Sequence, residues 1–293
     1  MKSKKLPRMR TQMIGKEIIC QVSSVINQIS HFATRSRSLH EQKEVGRKTN
    51  EALELTESTL NAVMRRQLVD NEEVLLQRIT GVISELSVST AQIIMQDFGA
   101  QRSFFRKDKS EEKSGSIVTK IVGKMYADSM ICEAQGRFIF NLVREFRPAV
   151  CLELGTCLGI SAAYIGAALE LNQTGKLNSI EGSDSLGKIA MENMAKIGLT
   201  RTTVLTGRFQ DRLPQVLREA APFGFVFIDG HHDECATLEY FDEIFPYPSQ
   251  NALFVFDDIY WSFGMNRAWR KIRADRRISF SLNRSVMGLA FKV

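Results

Sequence analysis

The sequence predicts an α/β fold: a Rossmann-like, mainly parallel sheet preceded by an all-helical extension. Three observations carry this. From Ala149 onward short apolar runs alternate with helical patterns across short connections, which forces parallel strands with helices on both faces. The last two runs, Ile278–Leu282 and Met287–Phe291, are separated by only Asn283-Arg284-Ser285-Val286, too few residues for a crossover, so they form an antiparallel hairpin. From Met13 to about Phe98 the apolar period is helical.

In the extension, Ile14, Ile18, Val22, Val25, Ile29 and Phe32 step by threes and fours. Leu75, Ile79, Val82 and Leu86 repeat the step, with Ile93 one heptad later. Such an a/d-like stripe suits helix-on-helix packing, as in a coiled coil or a homo-oligomerisation arm. Residues 1–50 carry eleven Lys/Arg against three Asp/Glu, a net +8 that exceeds the whole-chain +6. The basic character therefore belongs to the arm and not to the sheet. It reads as a solvated end, with an anionic membrane surface or nucleic acid as the other partners open to it. Residues 101–116 are charged and end in a Ser-Gly-Ser break, the composition of a linker. The expected organisation is a helical extension over 1–100, a linker over 101–120 and the α/β domain over 121–293. That domain opens with a helical stretch from about Ile121 to Phe146.

With 44% hydrophobic and 25% charged residues the chain can bury a real core, and no apolar run reaches the ~18 residues that span a bilayer. The N-terminus lacks the apolar block of a secretory signal. Five scattered cysteines without CxxC spacing argue for reduced thiols in a cytoplasmic protein, not for a zinc or disulfide framework.

The first sheet strand, at Val150–Leu154, contains Glu153 and runs through Gly155, Thr156 and Gly159 into a helix from about Ser161. Glu-x-Gly-x-x-x-Gly is neither a dinucleotide fingerprint nor a Walker loop. A carboxylate beside a turn where the backbone can closely approach a ligand suits a cationic one. The following strands are Leu177–Glu181, Thr202–Thr206, Phe223–Ile228 and Ala252–Phe256, with helices at about Ser185–Ile197, Asp211–Glu219, Glu234–Phe245 and Gly264–Arg273. Their carboxyl ends, where ligands of such sheets sit, carry Glu181-Gly182-Ser183, Gly207-Arg208-Phe209, Asp229-Gly230-His231-His232 and Asp257-Asp258. Three carboxylates converging on one edge repel one another, and a divalent cation with oxygen ligands resolves that.

The Glu153–Gly159 segment resembles motif I of the class I S-adenosylmethionine-dependent methyltransferases. Asp229-Gly230-x-His232 with Asp257-Asp258-Ile259-x-Trp261-Ser262 is similar to bacterial metal-dependent small-molecule O-methyltransferase-like proteins. The resemblance covers about residues 120–293. It implies a cofactor site at Glu153, Gly155, Thr156, Gly159, Ser161, Glu181, Gly182, Ser183, Gly207, Arg208, Phe209 and Asp229, with Glu181 on the ribose hydroxyls and Phe209 either stacked on adenine or packed in the core. It implies Mg²⁺ or another divalent cation on Asp229, Asp257 and Asp258. The alternative is a metal-free site in which Asp229 caps a helix and the pair orients loops. Asp229 and His232 are the catalytic candidates, His232 as general base toward a small-molecule hydroxyl acceptor or as a structural side chain. Two other classes stay open: a cofactor-binding scaffold without catalysis, and a nucleic-acid methyltransferase recruited by the basic arm. The Asn/Asp-Pro-Pro-Tyr/Phe signature of amino-methylating enzymes is absent.

Overall fold

A computed structural model describes residues 68–98, 116–129 and 131–292. The basic arm, the Ile14–Phe32 stripe and most of the expected linker lie outside the described residues. Helix α1 (Asp70–Ser87) leads into a two-stranded antiparallel ribbon of β1 (Gln92–Asp97) and β2 (Ser116–Ile121), then α2 (Val122–Asp128) and α3 (Glu133–Phe146). The α/β domain follows as β3 (Val150–Leu154), α4 (Ile160–Asn172), β4 (Lys176–Glu181), α5 (Asp184–Ile197), β5 (Thr202–Thr206) and α6 (Phe209–Ala220). It continues through β6 (Phe223–Ile228), α7 (Glu234–Ile244), β7 (Pro248–Phe256), α8 (Phe263–Arg273), β8 (Ile278–Arg284) and β9 (Met287–Lys292).

The seven-stranded sheet has the order β5-β4-β3-β6-β7-β9-β8; all neighbouring pairs are parallel except those of β9 with β7 and with β8. The strand order reverses between β3 and β6, which opens a crevice above their carboxyl ends. Successive side chains of the central strands enter opposite cores, as the two-residue strand period dictates. Cys151, Phe225, Phe227, Leu253 and Val255 face α1, α3 and α4; Leu152, Leu154, Val226, Ile228, Phe254 and Phe256 face α6, α7 and α8. Helix α4 is apolar all round, with eleven of its thirteen residues buried, because it lies between sheet and outer helices.

Four expectations change. The helical stripe does not run to Phe98: α1 ends at Ser87, and Ile93 belongs to β1. The hydroxyl-bearing Ser87-Val88-Ser89-Thr90 segment favours leaving the helix, and the following β-branched pair pairs readily in a ribbon. The end of the expected linker is β2, whose Ser-Ile-Val-Thr-Lys-Ile alternates as a strand does. The single helical stretch at 121–146 is two helices, the second starting at N-cap Cys132. The closing hairpin is tighter than four residues, since β8 extends through Arg284 and leaves Ser285-Val286 as the turn.

Helix α1 docks through Leu76, Ile79, Val82 and Leu86 and through one buried ion pair. Glu72 is fully buried; it accepts from Arg144 Nε at 2.8 Å and from Val69 N at 3.2 Å. Arg144 and Arg147 also hold Asn172 at the end of α4. Removing one partner leaves an uncompensated buried charge. Arg144→Ala is therefore expected to cost about 3–5 kcal/mol in urea unfolding, and Glu72→Met/Arg144→Leu to recover most of it. A loss below about 1 kcal/mol for Arg144→Ala would show that the pair does not hold α1.

Candidate active site

Main-chain hydrogen bonds lock the strand ends around the crevice together. Gly155 N donates to Ile180 O (3.0 Å), Asp229 N to Leu154 O (2.9 Å) and Asp257 N to Ile228 O (3.0 Å). Gly155 has φ +100°, and a Cβ there would stand 2.1 Å from Asp229 O, so only glycine lets the first turn lie against the Asp229 turn.

Glu153 lies beneath this turn with no exposure. Ser179 donates to its Oε2 and shares a hydrogen bond with Thr156, while Oε1 is buried without a partner among the described residues. Burial pushes its carboxyl up to about 7, the Glu181 charge adds to the rise, and the nearby Ser161 and Ser179 hydroxyls oppose it. At the end of β4, Glu181 accepts Cys157 N at 2.8 Å on one oxygen and Ser183 N at 2.9 Å on the other. Burial raises this carboxyl too. The Ser183 hydroxyl is buried and has no partner among the described residues.

At the third strand end Phe209 takes the packed one of its two expected roles. Gly207 N donates to Glu181 O (2.8 Å), but Arg208 is 59% exposed and ion-paired to Asp211 at 2.8 Å. Phe209 is 8% exposed and meets His231 and Tyr240 edge-on, at ring distances of 5.7 and 5.4 Å. A Cβ on Gly230 would stand 2.4 Å from its ring. Phe209 thus packs against the Asp229-Gly230 turn. His231 is held by Tyr240, Oη to Nδ1 at 2.7 Å, a partner nine residues on that no local motif announced.

The acidic group is divided. Asp229 and Asp258 are partly open, and the His232 imidazole lies between them, Nε2 3.6 Å from Asp229 Oδ1 and Nδ1 3.9 Å from Asp258 Oδ2. Ligand atoms of these three residues fall within 4.8 Å of one another. Asp257 stands apart from that set: it is 7% exposed and accepts the Asp258 amide at 2.8 Å. Asp258 has φ +53°, which turns its side chain away from the strand alternation. Burial first, then the Asp257 and Asp258 charges, raise the Asp229 carboxyl; burial and Asp258 push Asp257 up to about 7. Burial holds His232 below the usual imidazole value, against the pull of Asp258. No Lys or Arg among the described residues pairs with the three carboxylates, so their chemistry fits a hard divalent cation. The His232 ring also lies 5.7 Å from that of Trp261.

A carboxylate with one oxygen unpaired under a glycine turn, a second acid at the next strand end and an acidic trio beyond follow one another along the strand ends. Residues 152–259 match a methyltransferase domain. Over 127 residues the chain is 33% identical to the catechol O-methyltransferase of Niastella koreensis, covering 43% of this chain and 56% of that protein. The chain thus spans little more than half the length of that curated relative. In structure it is similar to an O-methyltransferase from Bacillus cereus solved with SAH (TM-score 0.51, 23% identity, 58% of this chain and 88% of that one). It is also similar to an SAH-bound methyltransferase from Podospora anserina (TM-score 0.54, 15% identity, 81% and 94%). The fold is that of the class I methyltransferases. No helix among the described residues is long and apolar enough to cross a membrane.

Glu153 makes a pH-dependent prediction. Its folded value, about 7, lies above the ordinary 4.5. Below about pH 4.5 both states are protonated and burial carries no charge penalty. The penalty grows between the two values and is complete above pH 7, reaching at most about 3 kcal/mol. Glu153→Gln is expected to raise the melting temperature of the ligand-free protein at pH 8 and to leave it nearly unchanged at pH 4.5. An equal rise at both pH values would show that the carboxyl stays uncharged or finds a partner.

Proposed function

We propose that the protein is an S-adenosylmethionine-dependent O-methyltransferase acting on a small hydroxylated acceptor, with a divalent cation such as Mg²⁺ at the acidic edge. The observation that carries this reading is the buried, partnerless Glu153 Oε1 beside the Gly155 turn. An unpaired carboxylate there is costly in the empty protein and suits the amino group and sulfonium of the cofactor. The relatives support it: one is named for catechol O-methylation, and others were solved with SAH.

When bound, the cofactor supplies an electrophilic methyl group, and the cation supplies positive charge that acidifies the acceptor hydroxyl. The protein's own work is placement and proton transfer. Glu153 holds the cationic end; Gly155, Thr156, Gly159 and Ser161 shape the turn against it. Glu181 keeps lone pairs for ribose hydroxyls, since each carboxylate oxygen uses one on a backbone amide, and the free Ser183 hydroxyl adds a further group. Asp229 and Asp258 hold the cation, and Asp257 orients Asp258 through the main chain. His232, kept neutral by burial, takes the acceptor proton; alignment of the reacting atoms in the crevice supplies most of the rate.

The test is calorimetric titration with S-adenosylmethionine and MgCl₂, followed by turnover on hydroxylated aromatic acceptors. Asp258→Ala is expected to abolish the magnesium heat and to keep cofactor binding. His232→Ala is expected to keep both heats and to lose about 10²–10⁴-fold in kcat. Loss of the magnesium heat in His232→Ala would place the imidazole among the metal's ligands, and absence of cofactor binding in the native protein would remove the reading altogether.

A further inference from the structure

At the third strand end Phe209 is packed against Tyr240, and position 182, directly after Glu181, has no side chain. The space that a side chain at 182 would take is filled from outside. Phe98, one residue past the end of β1, places its Cδ2 2.7 Å from the position of a Cβ on Gly182, and the ring is only half-buried. The ribbon that carries it is fixed to the same edge. Ser185 Oγ, in the first turn of α5, donates to Ile94 O at 2.5 Å, and Asp97 is held across the ribbon by Lys120 at 2.9 Å. Gly182 is flanked in the chain by Glu181 and by Ser183, whose buried hydroxyl has no partner among the described residues, the two groups suited to a nucleoside's sugar.

We infer that Phe98 is the cofactor's base-positioning residue, contributed by the extension and laid over Gly182 so that its ring borders the purine of a bound adenosyl group. The inference rests on the proposed cofactor reading and adds a specific wall to that site. A flat apolar base gains from an aromatic neighbour, and Phe98 is the ring at the Gly182 edge that keeps open surface. Gly182 is then needed for more than its backbone: any side chain there would displace the ring.

The experiment uses the full chain, with S-adenosylhomocysteine and adenosine as calorimetric probes. Phe98→Ala is expected to weaken both ligands by a similar factor, on the order of five- to ten-fold, with Phe98→Tyr restoring affinity. Gly182→Ala, whose methyl group meets the ring, is expected to give a comparable loss. The double variant should be no weaker than either single one, because both changes remove the same contact. Ile94→Ser, on the ribbon's exposed side, serves as the unaffected control. Bound S-adenosylhomocysteine should slow amide exchange across Gln92–Asp97. Native protein that binds both ligands while Phe98→Ala and Gly182→Ala bind them equally well overturns the inference and leaves the cofactor site standing. Native protein that binds neither ligand overturns both.

Discussion

A carboxylate buried at the end of the first sheet strand is the constraint on which the crevice depends. Glu153 can be tolerated there only because Ser179, Thr156 and Ser161 surround it with hydroxyls, and those residues come from three different elements, β4, the turn and α4. The same turn needs glycine at 155 because the Asp229 carbonyl stands where a side chain would be. The Gly155 turn therefore joins the Glu153 strand end to the acidic edge by a close backbone approach.

The acidic edge shows why adjacent residues can have different work. Asp257 continues the strand and remains largely buried; Asp258 enters the left-handed region and turns outward. One carboxylate then holds the backbone of the other. Burial first, and then the repulsion among the three groups, push both resolved carboxyl shifts there upward. The imidazole between Asp229 and Asp258 relieves part of that repulsion only when protonated, and burial opposes its protonation. A divalent cation would remove the conflict.

Much of the sheet was legible because its signals are local. The Thr202–Thr206 and Phe223–Ile228 strands coincide with their apolar runs, and the short gap before Met287 enforces the antiparallel close. What was not legible depends on neighbours distant in sequence. Leu75, Ile79, Val82 and Leu86 do form a helical stripe, but the stripe could not say that Ile93 would leave it to pair with Lys120 across a long insertion. Phe209 has the right place in the chain for an adenine contact, yet Tyr240 and Gly230 claim its ring. Asp257 and Asp258 read alike until the sign of one φ separates them.

The described part of the extension, residues 68–98, packs as part of the domain it precedes. The matched segment, residues 152–259, ends before β9, without which β7 loses its Leu253–Phe291 to Phe256–Gly288 ladder and exposes a long apolar edge. Upstream, α4 would lose α1 and α3, which cover an otherwise apolar helix. The Glu72–Arg144 pair then has a consequence beyond stability: it fixes α1, α1 leads directly into the β1–β2 ribbon, and the ribbon sets Phe98 on Gly182. A weakened α1 dock would reach the Gly182 edge through the ribbon while leaving the sheet and its acidic residues in place.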